Sequence, residues 1–278
     1  MKTSTEIASA ARYIGKEKTI ELLAEAGFDA FDFSMFDIAR WNANATDHAL
    51  RGNEHLKFAR KIKKIGDDCG IICNQSHAPF PSDKIPVDYL KMAIECTAEA
   101  GGEICVIHPF NLGTLEENTE FYLSLLPFAK SCGVKIAAEN MWCWDKEKDE
   151  STFAACATAK SFCEHVDAVN SDYLVACLDI GHAEMRGSGD GAASMIRALG
   201  NRLQALHIHD NDRWHDSHQL PFTLNIDFGS VAQALKDIGY SGYLTLEADK
   251  YLADFTADNI FEGIKSMYES VKKIDAMM

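Results

Sequence analysis

The feature that most constrains the fold is a unit of helix, glycine and strand that recurs along the chain. In each copy a helical pattern ends at a glycine and an apolar run follows shortly after; the glycines are Gly27, Gly70, Gly101, Gly133, Gly200 and Gly239. Glycine adopts the left-handed backbone conformation that ends a helix, and a short turn then leads into the next strand. Repeated right-handed units of this kind predict a parallel sheet covered by helices.

The apolar runs have the composition of strands that are buried on both faces. They are apolar almost throughout rather than alternating, as expected when helices cover both sides of a parallel sheet. Six runs are well defined, and they lie at 70–75, 104–107, 134–138, 174–178, 203–206 and 243–246. A weaker run lies at 28–33, and the first strand is placed at 6–8 only because the strand count requires it.

Eight strands of this kind close into a (β/α)8 barrel, and 278 residues suit one such domain. The sequence therefore predicts an α/β fold with a single barrel domain over residues 1–278. An open doubly wound sheet is the alternative. No glycine-rich phosphate loop follows the first strand, which argues against the dinucleotide-binding form of that alternative.

The net charge and the cysteine content indicate which binding partners and which cellular compartment to expect for this protein. The formal net charge of -15 disfavours binding to nucleic-acid phosphates. The nine cysteines include no Cys-x-x-Cys pair, and several lie in apolar runs, which indicates a reducing compartment. The chain has no 18-residue apolar stretch and no apolar signal core at its start. We expect a cytoplasmic protein without nucleic-acid or membrane partners; the sequence leaves open whether it forms a homo-oligomer.

Polar residues recur directly after the predicted strands. Most of them lie at the ends of six successive predicted strands, the third to the eighth, and two lie in the loop after the seventh strand. They are His77, His108, Glu139, Asp179, His182, His207, His209, Asp210, Asp216, His218 and Glu247. Because all strand carboxyl ends of a barrel point to one mouth, we expect these side chains to converge. Buried carboxylates need a partner, and one divalent cation satisfies several of them. Imidazole and carboxylate ligands without thiolate suit zinc, manganese, magnesium or cobalt.

Each of these residues also has a structural interpretation when taken alone. A single histidine after a strand is usually structural, and a single acid there commonly caps the next helix. Their recurrence at six successive strand ends favours a shared polar site. All four tryptophans fall in predicted loops at this mouth: Trp41, Trp142, Trp144 and Trp214. Their rings could stack on the apolar face of a sugar. The alternative is that they form a hydrophobic plug or a subunit contact.

Four segments give these strand ends a family resemblance. They are Ala137-Ala138-Glu139-Asn140, Leu178-Asp179-Ile180-Gly181-His182, His207-Ile208-His209-Asp210 and Leu244-Thr245-Leu246-Glu247. With them the chain resembles the xylose-isomerase-like barrels, specifically the sugar phosphate isomerase/epimerase group, which is related to ketose 3-epimerases and endonuclease IV. The resemblance implies one divalent metal ion, of manganese, zinc, magnesium or cobalt, held by Glu139, Asp179, His207 and Glu247.

The resemblance also implies roles for the surrounding residues. His207 is preferred to His209 as a ligand because family members show a histidine, two residues and an acid, followed in ketose epimerases by a substrate-binding arginine. His207, Asp210 and Arg213 fit that spacing. The substrate-binding residues expected on this basis are His77, His108, Trp142, His182, Arg213 and His218, and His209 and Asp216 are candidates for additional metal ligands.

The function implied by the resemblance is metal-dependent isomerisation or epimerisation of a small sugar or sugar phosphate. Glu139 and Glu247 would be the catalytic acid and base, moving a proton through an enediolate. Two alternatives stay open. An endonuclease IV-like phosphodiesterase acting on abasic DNA would need further zinc ions, for which His77 with His108, and His182 with Asp216 and His218, are counterparts. A non-catalytic sugar-binding barrel would need the cavity but no proton transfer.

Overall fold

A computed structural model describes residues 1–36 and 54–278, so Trp41 lies outside the described residues. The strands are β1 Lys2–Thr5, β2 Ala30–Ser34, β3 Ile72–His77, β4 Ile104–Val106, β5 Lys135–Glu139, β6 Cys143–Asp145, β7 Glu150–Thr152, β8 Leu174–Asp179, β9 Leu203–His207 and β10 Tyr243–Leu246. The helices are α1 Ala8–Ile14, α2 Lys16–Ala26, α3 His55–Cys69, α4 Val87–Ala100, α5 Leu115–Cys132, α6 Ala159–Val169, α7 Ile180–Glu184, α8 Ala192–Leu199, α9 Phe228–Asp237 and α10 Ile260–Asp275.

Eight of the strands form a parallel ring. One sheet has the order β2-β3-β4-β5-β8-β9, and a second pairs β1 with β10. Parallel bridges between Glu6 and Asp32 and between Ile208 and Leu246 join the two sheets at both edges. The α/β barrel predicted from the sequence is confirmed. The two remaining strands, β6 and β7, form an antiparallel hairpin above the end of β5, and the sequence patterns did not predict it.

Two hydrophobic layers stabilise the ring. The larger one lies between strands and helices and includes the fully buried Phe31, Tyr122 and Phe162. The smaller one consists of strand residues only: Val106, Ala137, Val175, Cys177 and Ala205. These alternate along β4, β5, β8 and β9 with residues of the larger layer, so they fill the inside of the barrel. Among the residues described, no helix is both long and apolar enough to cross a bilayer.

The glycine pattern predicted the helix ends correctly. Gly27, Gly70, Gly101 and Gly133 follow α2, α3, α4 and α5 in the left-handed conformation, and Gly200 and Gly239 also have positive φ. The prediction for the first strand was wrong, because β1 covers Lys2–Thr5 and the segment 6–8 leads into α1.

The reason for this error is the polarity of β1. Its buried Thr3, Ser4 and Thr5 make hydrogen bonds instead of apolar contacts. Thr3 donates to Asp29, Ser4 donates to Asn74, and Thr5 donates to the carbonyl of Leu246. A search for apolar runs misses such a strand, because its inward positions carry hydroxyl groups rather than hydrocarbon.

Candidate active site and metal centre

The carboxyl ends of the barrel strands bring the predicted site residues together. Glu139, Asp179 and His207 are the last residues of β5, β8 and β9, and Glu247 directly follows β10. All four are buried, with at most 7% of the residue exposed. A cavity of about 380 Å³ opens above them, and its lining includes Glu139 and Glu247 together with His77, His108, His182, Asp216 and His218.

Glu139, Asp179, His207 and Glu247 form what we name the acidic cluster. One ligand atom from each lies within 4.8 Å of those of the other three. His207 is central, since its Nδ1 lies 3.1 Å from Glu139 Oε1 and 3.5 Å from Glu247 Oε2. Three carboxylates around one imidazole therefore share a small, buried volume.

The acidic cluster fits a divalent cation. Asp179 Oδ2 is buried and has no hydrogen-bond partner among the described residues, and the buried Glu139 Oε2 faces two histidine nitrogens. Burying charged oxygens without a partner is costly, and the mutual repulsion of three carboxylates adds to that cost. A dication placed between the four side chains offsets both effects, and their oxygen and nitrogen donors suit manganese, zinc, magnesium or cobalt.

A second group, His182, His209, Asp216 and His218, is named here the histidine cluster, and its ligand atoms also lie within 4.8 Å of one another. Asp216 Oδ1 is its centre. It lies 3.1 Å from His218 Nε2, 3.5 Å from His182 Nε2 and 3.6 Å from His209 Nε2. His209 Nε2 also lies 3.1 Å from Asp179 Oδ1, so the two clusters are in contact.

Backbone carbonyls orient the histidines around the cavity. Nδ1 of His182 lies 2.9 Å from the carbonyl oxygen of Asn140, and Nδ1 of His218 lies 2.7 Å from that of Glu247. His77 Nδ1 is placed in the same way, 2.8 Å from the carbonyl of Ala78. Donation from Nδ1 to a carbonyl fixes the orientation of each ring and directs its Nε2 atom at the carboxylates.

His77 and His108 form a third group on the other side of Glu139. Their Nε2 atoms lie 2.9 Å apart, and they lie 3.3 Å and 3.1 Å respectively from Glu139 Oε2. With His207, His77 and Glu139 also have ligand atoms close enough for a metal ion. The structure therefore brings together the histidines that the sequence predicted for substrate binding, and their spacing also allows further metal binding.

Local sequence explains how the clusters are held. The Asn140 side chain accepts from the backbone NH of Asp179 and donates to its carbonyl, so it ties the end of β5 to the end of β8. Asp179 Oδ1 accepts from the backbone NH of His182 at 2.6 Å and caps α7. Gly181 lies directly against the His209 ring, because a Cβ at this position would be 1.9 Å from His209 Cε1.

The surroundings move the pKa values of the two glutamates apart. Burial raises the pKa of Glu247 to about 7, against the opposing effect of His207 and His218. Burial alone would also raise the pKa of Glu139, but His207 and His108 lower it well below its usual value. Two carboxylates whose pKa values differ in this way are the arrangement expected of an acid and a base.

Comparison with known proteins identifies the family of this fold. A family model described as xylose isomerase-like TIM barrel matches residues 20–270. The chain belongs to this family. It is 35% identical to the uncharacterized protein y4fM of Sinorhizobium fredii, over 86% of this chain and 83% of that protein.

Two solved structures show the same fold along the whole chain. A D-tagatose 3-epimerase-like protein is 24% identical, with a TM-score of 0.72 and coverage of 99% of both chains. An IOLI protein with a binding zinc atom is 18% identical, with a TM-score of 0.73 and coverage of 99% of this chain and 98% of that one.

Within this xylose isomerase-like barrel, the cavity has one polar floor and one apolar wall. The described residues of the wall are Phe36, Phe80, Pro81, Met141 and Trp142. Phe80 stacks on His108 with ring centroids 4.9 Å apart, and the Trp142 ring lies 6.4 Å from that of His182. A small molecule with one hydroxylated and one apolar face fits such a cavity.

Other predicted residues lie outside the cavity lining. Arg213, expected to bind substrate, instead pairs with Glu184 at 3.1 Å and is half exposed. Trp144 stacks on His215, and Trp214 lies under Arg186. Of the described tryptophans, only Trp142 lines this cavity.

Three acidic residues that lie in or next to the site were not predicted from the sequence: Glu6, Asp32 and Asp249. Asp249 and Glu6 are part of the lining, and Asp32 contacts His207 from below. Glu6 directly follows the polar strand β1, and Asp32 lies in the middle of β2, whose apolar run is the weaker one noted above. The position of Glu6 at the end of β1 was the signal available once β1 was placed correctly, whereas no position at a strand end identified Asp32.

Proposed function

We propose that this xylose isomerase-like barrel is a divalent-metal-dependent isomerase or epimerase of a small sugar or sugar phosphate, with residues 1–278 forming one catalytic domain. The observation that carries the proposal is the pair Glu139 and Glu247, which approach His207 from two strands within one small cavity. Solved structures of similar fold, described as a D-tagatose 3-epimerase-like protein and an L-ribulose 3-epimerase, support the same class of reaction.

The acidic cluster would hold one divalent ion, of manganese, zinc, magnesium or cobalt, through Glu139, Asp179, His207 and Glu247. When bound there, the ion would polarise a substrate carbonyl and favour negative charge on the neighbouring oxygens. The partnerless Oδ2 atom of Asp179 and the close approach of the three carboxylates support this placement. The other two ligands complete a set in which a single imidazole accompanies three carboxylates.

Glu139 and Glu247 would move the proton. One carboxylate removes the proton from the carbon next to the carbonyl, giving an enediolate, and the other returns a proton. Return to the opposite face of the same carbon gives an epimer, and return to the neighbouring carbon gives an isomer. Both groups lie within reach of one substrate, since both line the cavity of about 380 Å³.

The histidines and the apolar wall would place the substrate. His77, His108, His182 and His218 direct ring nitrogens into the cavity, where they can bind the substrate oxygens that gain charge. Phe80 and Trp142 would cover the carbon face of the sugar and exclude water from the reacting carbon. Arg213 has no role in this proposal, because it pairs with Glu184 away from the cavity lining.

One observation favours a second function, a multi-metal phosphodiesterase acting on abasic DNA. The histidine cluster, and His77 with Glu139 and His207, could each hold an additional ion. The charge of the cavity opposes it. Among the described residues, the lining has Arg12 and Lys250 against the five carboxylates Glu6, Glu139, Asp216, Glu247 and Asp249. The whole chain has a net charge of -15. A DNA backbone would meet repulsion on approach.

Counting the bound metal separates the two functions. We expect elemental analysis of protein purified without chelator to give one divalent ion per chain. Chelation should remove activity, and returning the ion should restore it. With free and phosphorylated ketoses in heavy water, the loaded protein should introduce deuterium next to the carbonyl of at least one substrate, as read by mass spectrometry. About three zinc ions per chain together with cleavage of abasic DNA would instead establish the phosphodiesterase.

A further inference from the structure

Asp32 is a buried carboxylate that lies beneath the acidic cluster. It belongs to β2, and no part of it is exposed. Its Oδ2 atom lies 3.3 Å from His207 Nε2 and accepts a hydrogen bond from Gln75 Nε2 at 2.9 Å. Its Oδ1 atom has no hydrogen-bond partner among the described residues. Burying a carboxylate away from water is costly, so its position here requires a physical reason.

The two nitrogens of His207 face different partners. Nδ1 faces Glu139 and Glu247, where the proposed ion would lie, and Nε2 faces Asp32. A neutral imidazole carries one proton, so a proton on Nε2 leaves the Nδ1 lone pair free for a metal ion. A carboxylate that accepts from the remote nitrogen of a histidine ligand fixes this tautomer and makes the ligand more basic.

A hydrogen-bond network below the site holds Asp32 in place. Gln75, which donates to Asp32, accepts from Thr245 Oγ1 at 3.3 Å and from Asn74 Nδ2 at 3.2 Å. Asn74 in turn accepts from Ser4 Oγ at 2.6 Å. The network therefore links β1, β2, β3 and β10 across the inside of the barrel, directly under His207.

We propose that Asp32 is the positioning residue of the metal centre: it holds the proton of His207 on Nε2 and so directs Nδ1 to the ion in the acidic cluster. This inference rests on the proposed function, since it requires that cluster to bind a metal. The substitution Asp32→Asn keeps the shape of the side chain but removes its charge, and the new amide group can turn toward Nε2. In that orientation it favours the wrong tautomer of His207, with the proton on Nδ1.

The first test compares metal binding by wild type, Asp32→Asn and the matched control Asp29→Asn. Asp29 lies just before β2 and accepts from Thr3, at the opposite end of the strand from the site. We expect cobalt(II), titrated in competition with a chromophoric chelator, to bind Asp32→Asn about 10- to 100-fold more weakly and Asp29→Asn about as tightly as wild type. The visible absorption of the bound cobalt should also change in Asp32→Asn alone.

The possible outcomes separate this inference from the proposed function. A wild-type protein that binds no divalent ion would overturn the proposed function, and this inference with it. Wild-type affinity and cobalt absorption in folded Asp32→Asn would overturn the role of Asp32 alone.

A second measurement needs no variant at position 32. In zinc-loaded wild type, nitrogen-15 spectra of the histidine rings, assigned with His207→Gln, should show the His207 proton on Nε2 and zinc on Nδ1. The reverse arrangement, with the proton on Nδ1, would overturn the inference even if Asp32→Asn failed to fold.

Discussion

The acidic cluster and the histidine cluster lie side by side at the mouth of the barrel, and they are built from the same residue types in opposite proportions. The first has three carboxylates and one imidazole, and the second has three imidazoles and one carboxylate. They touch through His209 Nε2 and Asp179 Oδ1, which are 3.1 Å apart. All four members of the acidic cluster are buried, whereas Asp216 and His218 of the histidine cluster are partly buried. The clusters therefore differ in charge and, to a smaller degree, in exposure.

The difference in charge determines whether each cluster needs a bound cation to balance its carboxylates. In the histidine cluster, burial would lower the pKa of His218, but Asp216 raises it to about 10. Burial would likewise lower the pKa of His182, but Asp179 and Asp216 raise it well above its usual value. Protonated imidazoles can thus balance Asp216. The acidic cluster contains three carboxylates and one imidazole, and the other histidines reach it only from its edges. It is therefore the stronger candidate for a metal ion.

The largest effect that we expect comes from the acidic cluster. Glu139→Gln and Glu247→Gln should each reduce proton exchange at the substrate carbon by about 10²- to 10⁴-fold, because an amide neither accepts nor returns the proton. Deuterium incorporation from heavy water measures this, and circular dichroism checks the fold. Glu103→Gln is the matched control, since Glu103 precedes β4 at the opposite end of the barrel. Wild-type exchange in either site variant would refute its assignment as acid or base.

A smaller effect should follow a change at the centre of the histidine cluster. Asp216→Asn weakens the electrostatic hold on His182, His209 and His218, and we expect kcat/KM to fall roughly 10- to 100-fold, in line with the loss of a hydrogen bond to a charged group. Because this cluster binds substrate rather than metal in our proposal, elemental analysis should still find one ion per chain. Loss of an ion in this variant would show that both clusters bind metal.

The parts of the site that the sequence predicted are those fixed by topology. Parallel strands of a barrel end at one mouth, so residues such as Glu139 and Asp179, which directly follow apolar runs, had to converge. No pattern fixed the loop after β9, where Arg213 adopts a positive φ of 67° and pairs with Glu184. Asp32 was missed for another reason: its contact with His207 joins β2 to β9 across the barrel, and spacing along the chain carries no information on it.

The smallest effect should come from the contact between Gly181 and His209, which fixes the boundary between the two clusters. A Cβ at position 181 would lie 1.9 Å from His209 Cε1 and 2.3 Å from Nε2. His209 is completely buried and cannot move into solvent, so Gly181→Ala must shift either the ring or α7. We expect a loss of about 1–3 kcal/mol in the free energy of unfolding, which is typical of overpacking, as measured by denaturant titration.

The control for this variant is Gly229→Ala in α9, where a Cβ would meet only Asp227 Oδ1, at 3.2 Å. It should leave the free energy of unfolding close to that of wild type. Activity in Gly181→Ala should fall by less than in Asp216→Asn, because none of the proposed ligands is removed and only the ring that joins Asp179 to Asp216 is displaced. Unchanged stability and activity would mean that His209 is not held against Gly181, and the boundary between the clusters would then have to lie elsewhere.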